Sequence, residues 1–470
     1  MFLSSLLLTT LVADPTWSTP QVLSAPGIAQ VNGALGFGRA VVAWLQHDDL
    51  GYSLQVAEMG PDHCWSEPEQ ITHLGRLDQK NLPHPELSID STGSYRLVWA
   101  GHRGDYRAVY AAAKSPGENW SAPQCLSQAL HDMRWTAIVP FLAANASGKA
   151  VVLWTACNDL PMPDSRNLVQ VVMQEGGSNA WGSPTTISVQ DWDFTKVGPP
   201  HRAIAKSIAM NESGEVLAAW PSFSANLSSS PVFVSGNQGA GWALPAEISC
   251  IPGWLWNTHV SGKRPEVSIG EGGHAAVTWS CREGYLWAAL RDPSGVWALP
   301  EQLLRQSEGP GVELRQHVSV DPRGNVTAVW LHVGSVGRGF FQTNFYIQTR
   351  SRPVGGAWKP IHTLSGELLS ERSPEFGINE VGPSMAMDRE GRVTVAWMDG
   401  SLTQVSHEAI FVAGKDTQDQ WSLPSRISSG EASASSPQLI GGVDGGVMLL
   451  WQEGPAEAKR VYVTLSTDPQ

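Results

Sequence analysis

Eight times along this chain a glycine is followed, after five residues, by a tryptophan, and the spacing never varies. The copies are GRAVVAW (38–44), GSYRLVW (93–99), GKAVVLW (148–154), GEVLAAW (214–220), GHAAVTW (273–279), GNVTAVW (324–330), GRVTVAW (391–397) and GGVMLLW (445–451). A second phrase, Trp followed by Pro and closing in most copies on an aliphatic residue and Ser, alternates strictly with the first. Its tryptophans are Trp17, Trp65, Trp120, Trp181, Trp242, Trp297, Trp358 and Trp421. Dividing 470 residues by eight gives a period of about 59, and self-similarity at one fixed period marks a repeat architecture.

Each period reads as four short strands. The first ends in a turn such as SIDSTG or SVDPRG, where Asp or Asn three residues before Gly suits a tight β-turn. The second is the apolar run ending in Trp, covered on both faces. The third is less regular (YRAVYAAA, YLWAAL), and the fourth is the Trp-Pro phrase, since Pro is best tolerated on an edge. Charged residues make up only 16% of a chain with 47 Gly and 32 Pro, which also favours short strands over helices. The expectation is an all-β fold, a single eight-bladed β-propeller of four-stranded antiparallel blades. Two tandem sandwiches would need a linker, and none interrupts the period. The N-terminal phrase WSTPQVLS (17–24) has no strands before it, whereas the last repeat ends at RVYVTLS without a Trp-Pro phrase. The first strand is therefore expected to complete the last blade and close the ring.

Residues 1–13, MFLSSLLLTTLVA, are too short an apolar run to span a bilayer and fit a signal peptide, although no Lys or Arg stands near Met1. The propeller domain is then 14–470, and the location secreted or periplasmic/cell envelope. A formal net charge of −13 without basic clusters excludes nucleic acid as a natural partner. No membrane insertion of the mature chain, no cofactor and a monomer are expected. The five cysteines are odd in number and lack metal-ligand spacing. Cys250 and Cys281 share a repeat and can be drawn as a pair, but scattered thiols are the simpler reading.

Sixteen of the 21 tryptophans belong to the two phrases and are assigned to packing between blades. Trp287 falls in a third strand and joins them. Trp135, Trp192, Trp254 and Trp256 instead sit in long connections from an outer strand to the next inner one. They are interleaved there with His131, Asp132, Arg134, Asp191, Asp193, His201, Arg202, His259 and Arg264. The connections between second and third strands open on the same face and add Arg103 and Arg282. Long, variable loops on a rigid scaffold are where binding sites gather. Aromatic faces beside Asp, Arg and His suit sugar rings and suit protein loops equally. His47, Asp48 and Asp49, or His102 with Asp105, could suggest metal ligands, but their spacing matches no known ligand motif and no metal is expected.

The chain resembles the sialidase-like propeller families that carry Asp-boxes, and more loosely the Trp-rich lectin propellers, over residues 14–466. The resemblance rests on SPGENWS (115–121), QGAGWALP (238–245) and DPSGVWALP (292–300), none of which is an intact Asp-box. It implies a glycan-related role. An exported, non-catalytic propeller that binds a glycan or protein ligand through the long-loop face is the reading adopted. The alternative is a sialidase-like glycoside hydrolase with acidic and Arg residues at the central funnel. Arg103, Arg134, Arg202, Arg264, Arg282 and Arg315, with Tyr106 or Tyr285 and Glu283 or Glu313, are its candidates. The family's Arg-Ile-Pro segment is absent, and eight blades exceed the six usual for sialidases.

Overall fold

The computed structural model describes residues 16–77, 82–104, 106–127, 135–158, 167–178, 180–188, 202–203, 206–223, 230–249, 263–281, 285–304, 315–335, 343–365, 368–370, 382–399, 408–429, 431–442, 444–455 and 457–466. Its strands form eight four-stranded antiparallel blades arranged in a ring, a β-propeller. The inner strands are Ile28–Gly36, Glu86–Ile89, Trp135–Ala144, Ser207–Met210, Lys263–Ile269, Gln316–Val320, Ser384–Met387 and Ala434–Gly441, taken as blades 1 to 8. Each touches the inner strands of both neighbours, around the full ring. Two short pieces depart from the four-strand plan. Arg202–Ala203 pairs with Phe223 and Ser222 of blade 4 and, in parallel, with Asn167 of blade 3. Leu368–Ser370 adds to the third strand of blade 6.

The glycine of every Gly-to-Trp phrase occupies the turn between inner and second strands in the left-handed region, with φ from +67° at Gly38 to +92° at Gly324. Only glycine adopts this conformation without cost. Several of these glycines also press on the preceding blade. A Cβ at Gly324 would stand 2.6 Å from His274, and one at Gly148 2.9 Å from Asp90. The Asp that opens the turn organises it. Asp321 Oδ1 accepts from the backbone N–H groups of Arg323 and Asn325, and Asp388 Oδ1 does the same for Glu390 and Arg392.

The tryptophan six positions on ends up in the core. All eight second-strand tryptophans are at most 2% exposed, and the eight Trp-Pro tryptophans pack against clusters that each span the seam between two blades. Across the ladder the second-strand Trp meets an aromatic partner on five blades: Trp99–Tyr110, Trp220–Phe233, Trp279–Trp287, Trp397–Phe411 and Trp451–Tyr462. Trp287 is thereby a framework residue. The serines of the Trp-Pro phrase have a fixed task. Ser127, Ser188, Ser249, Ser365 and Ser428 each accept, through Oγ, the N–H of a third-strand residue.

The N-terminal phrase does the same on blade 8. Gln21 and Val22 pair with Val463 and Tyr462, Trp17 bridges to Ser466, and Ser24 Oγ accepts from Val461 N at 2.9 Å. Charged ends of third strands reach back to the preceding blade: Lys114 to Glu58 at 2.7 Å, Arg291 to Glu215 at 2.7 Å, and the buried Lys415 to Thr327 at 2.6 Å. Among the described residues no helix is long and apolar enough to cross a membrane. Cys64, Cys125, Cys157 and Cys281 are thiols, and Cys250 lies outside the described residues.

Candidate functional site

Most of the loop residues singled out from the sequence, namely His131, Arg134, Asp191, Trp192, Asp193, Trp254, Trp256, His259 and Arg282, lie outside the described residues, as do Asp132, His201, Glu283 and Glu313. Trp135 and Arg202 are placed by their backbones. Trp135 opens the inner strand of blade 3 opposite Asn158 instead of lying in the connection before it, because a bulge at Val139 lets that strand run on past the usual start. Arg103 ends the second strand of blade 2, its Nη1 3.7 Å from Cys125 Sγ. Arg264 lies in the inner strand of blade 5. His47 packs edge-on against Tyr52, and Asp48 Oδ1 accepts from Leu50 N–H in the hairpin turn. No three metal-binding side chains gather among the described residues.

Strand register reveals a site that reading along the chain did not. The inner-strand residue opposite the position just before each buried Trp is Asn32, Glu86, Phe141, Ser207, Glu266, His317, Ser384 and Gln438 in blades 1 to 8. Glu86, Ser207, His317 and Ser384 stand at the first or second residue of their strands, and the bulged strands of Asn32, Phe141, Glu266 and Gln438 begin earlier than that register, towards the end of the axis where the long connections enter. Seven are polar. Two of them tie neighbouring blades together, Ser207 Oγ accepting from Val267 N–H and Ser384 Oγ from Leu439 N–H. The others bring chemistry to the axial mouth.

On one side, Glu86 hydrogen-bonds the Asn32 side chain and stands 3.7 Å from His84 Nδ1. Burial pushes the Glu86 pKa up to about 8, opposed only in part by the Asn32 bond. About a fifth of the side chain is solvent-exposed, as expected of a group lining a narrow, enclosed shaft. Burial also lowers the His84 pKa, and the charge of Arg315 lowers it further. Glu86 and His84 are accordingly both neutral near pH 7.

Across the axis, His317 Nδ1 lies 2.9 Å from Glu266 Oε1, and the ring also bonds the Pro383 backbone, so this imidazole links blades 5, 6 and 7. Burial disfavours its charge, but the Glu266 carboxylate outweighs that cost and holds its pKa above the ordinary value. Arg315 crosses over Gly382, where a Cβ would stand 2.3 Å from its Cδ. Its charge acts on His317 and on His84 of the opposite blade. The mouth is thus narrow enough for charges on facing blades to sense one another.

The backbone beneath the mouth is strained. Gln30, Val139, Arg264 and Ser436 have φ of +42°, +49°, +49° and +54°. Each sits two residues before its ring position, at a register shift in the inner strand. Bulges of this kind re-aim side chains, and left-handed non-glycine residues persist where the surroundings enforce them. At the far end of the axis, Arg389 of blade 7 approaches Glu212 of blade 4 at 4.0 Å, and Glu271 of blade 5 accepts from the Glu212 N–H. That end is bridged by side chains.

No protein-family model matches the chain, and neither does any curated protein. Solved structures similar to it include the BP39L lectin from Burkholderia pseudomallei (15% identity, 87% of this chain and 100% of that one, TM-score 0.49). The NanB sialidase from Streptococcus pneumoniae matches with 11% identity over 91% and 83% of the two chains and a TM-score of 0.42. A leech intramolecular trans-sialidase matches with 10% identity over 97% of each and a TM-score of 0.41. All three similarities are below a TM-score of 0.5, and the propeller assignment rests on the strand pairing described above.

Proposed function

We propose that the protein is an exported, non-catalytic β-propeller that binds a glycan at the axial mouth of its long-loop face. The observation that carries this reading is the coincidence of polar chemistry and strain at one register. Asn32, Glu86, Glu266, His317 and Gln438 stand at equivalent sites of their inner strands, His84 and Arg315 bring further charge-bearing groups, and bulges precede Asn32, Glu266 and Gln438. A ring of mixed donors and acceptors at the end of a shaft suits a ligand rich in hydroxyl and ring oxygens. In sequence, the connections that precede the inner strands of blades 4 and 5 carry Trp192, Trp254 and Trp256, residues of the type that stacks on sugar rings. Screening the full chain on a glycan array, with His317→Ala and Arg315→Ala beside it, tests the reading. Binding that the two variants lose while keeping their melting temperature supports it, and undiminished binding by both sinks it.

A second reading, a glycoside hydrolase of sialidase-like type, draws on one specific feature. Burial raises the Glu86 pKa to about 8, a second carboxyl, Glu266, pairs with His317 on the facing side of the mouth, and acid-assisted glycoside cleavage uses two carboxyl groups, one of them a proton donor. Release of nitrophenol from a panel of aryl glycosides, abolished in both Glu86→Gln and Glu266→Gln, would establish that reading in place of the first.

A further inference from the structure

We propose that the blade 1–2 side of the mouth is a donor subsite, in which Glu86 presents an O–H group to an oxygen atom of the ligand. This rests on the glycan-binding reading and adds to it the chemistry by which one ligand atom is chosen.

Among the described residues, the surroundings of Glu86 withhold what a carboxylate needs. From blade 1, the inner strand supplies the neutral amide of Asn32, and within blade 2 the second strand sets the fully buried Val98 opposite Glu86. From blade 3, the equivalent position is Phe141, and the whole strand Trp135–Ala144, WTAIVPFLAA, contains no titratable residue. In its own segment the nearest group is His84, whose Nδ1 is also 3.2 Å from the Pro85 carbonyl oxygen. Arg315 approaches from blade 6 and acts on His84. Among the described residues no Lys or Arg forms an ion pair with Glu86. A carboxyl in such a place holds its proton, as burial without a countercharge dictates, and the Glu86 pKa is raised to match.

The consequence is directional. One oxygen accepts from the Asn32 amide and the protonated oxygen is left to donate, so an ether, hydroxyl, carbonyl or carboxylate oxygen is accepted. An ammonium group brings only donors, so it is accommodated there only once Glu86 has released its proton.

The test compares wild type, Glu86→Gln and Glu86→Ala on one printed glycan array at pH 6.5 and pH 9.0, with the Glu86 side-chain ¹³C signal titrated in the full-length protein. Glutamine keeps a donor N–H that does not titrate. Wild-type binding to its best glycan is expected to fall about tenfold at pH 9.0, one unit past the pKa. Glu86→Gln should stay level between the two pH values, and Glu86→Ala should bind weakly at both. Repeating the series in a His317→Gln background removes the other titrating group of the mouth. A loss at pH 9.0 as large in Glu86→Gln as in wild type overturns the proposal, as does a carbon midpoint near 4.5. If no glycan binds at any pH, the glycan reading fails, and the carbon midpoint still decides whether Glu86 is a donor.

Discussion

His317 Nδ1 lies 2.9 Å from Glu266 Oε1 across the seam between blades 5 and 6. The two are neighbours in the ring although 51 residues separate them in sequence. Burial and the charge of Arg315 both work against a protonated His317, so the raised pKa depends on Glu266. Glu266→Gln should bring the His317 midpoint below 6.5 in an imidazole NMR titration. The pair's contribution to stability is present below the unfolded pKa of 6.5 and is lost as pH rises through the higher folded value. Wild type and variant should therefore differ in denaturant midpoint at pH 5.5 and converge above the folded pKa. A His317 midpoint unmoved by the substitution would show that other groups hold its charge.

Glu86 carries the opposite sign. Its folded pKa of about 8 lies above the ordinary 4.5, so the penalty for a buried carboxyl is absent at low pH and grows as pH climbs from 4.5 towards 8. Glu86→Gln should be more stable than wild type at pH 8, on the order of a few kcal/mol, and equal to it at pH 4. Urea melts at the two pH values measure the difference. Equal stability of the two proteins at pH 8 would place the carboxyl in ordinary solvent.

The turn glycines separate two effects. Gly38 has φ +67° with open space beyond it, whereas Gly324 has φ +92° and His274 within 2.6 Å of the missing Cβ. Replacing Gly38 by Ala should cost about 1 kcal/mol of left-handed backbone strain. The same change at Gly324 adds a steric clash and should cost at least twice as much by chemical denaturation. Similar losses at both sites would mean that conformation alone accounts for the repeated glycine.

Ring closure is also measurable. Ser24→Ala removes the Oγ that accepts from Val461 N–H and should cost about 1–2 kcal/mol. Hydrogen exchange should accelerate first along Arg460–Leu465, the strand it caps. Exchange that rises equally in blades 3 and 4 would show that the N-terminal strand is not a local clasp.

How much of this could be read along the chain follows from what repeats. Trp44 and its seven counterparts sit at a fixed distance from a left-handed glycine, so blade number, strand order and the closing role of Trp17 to Ser24 are written as periodicity. The mouth is written as a deviation from that periodicity. Glu86, Glu266 and His317 each stand thirteen residues before a buried Trp, among unremarkable alternating strand residues. Nothing marks them until the repeats are aligned on the tryptophans, and the bulges at Gln30, Val139, Arg264 and Ser436 leave no composition signal at all. The conspicuous loop tryptophans Trp192, Trp254 and Trp256 draw attention in the sequence, and they lie outside the described residues.

The most direct test of the central claim is to map the bound ligand on the protein. Full-length protein carrying ¹⁵N-labelled Asn and His is titrated with the strongest glycan from the array, and side-chain signals are followed. The account predicts saturable shifts in the Asn32 amide and in the His84 and His317 rings, with the His274 ring at the opposite end of the blades unchanged. Shifts confined to His274, or saturable binding that leaves Asn32, His84 and His317 unmoved, would contradict it.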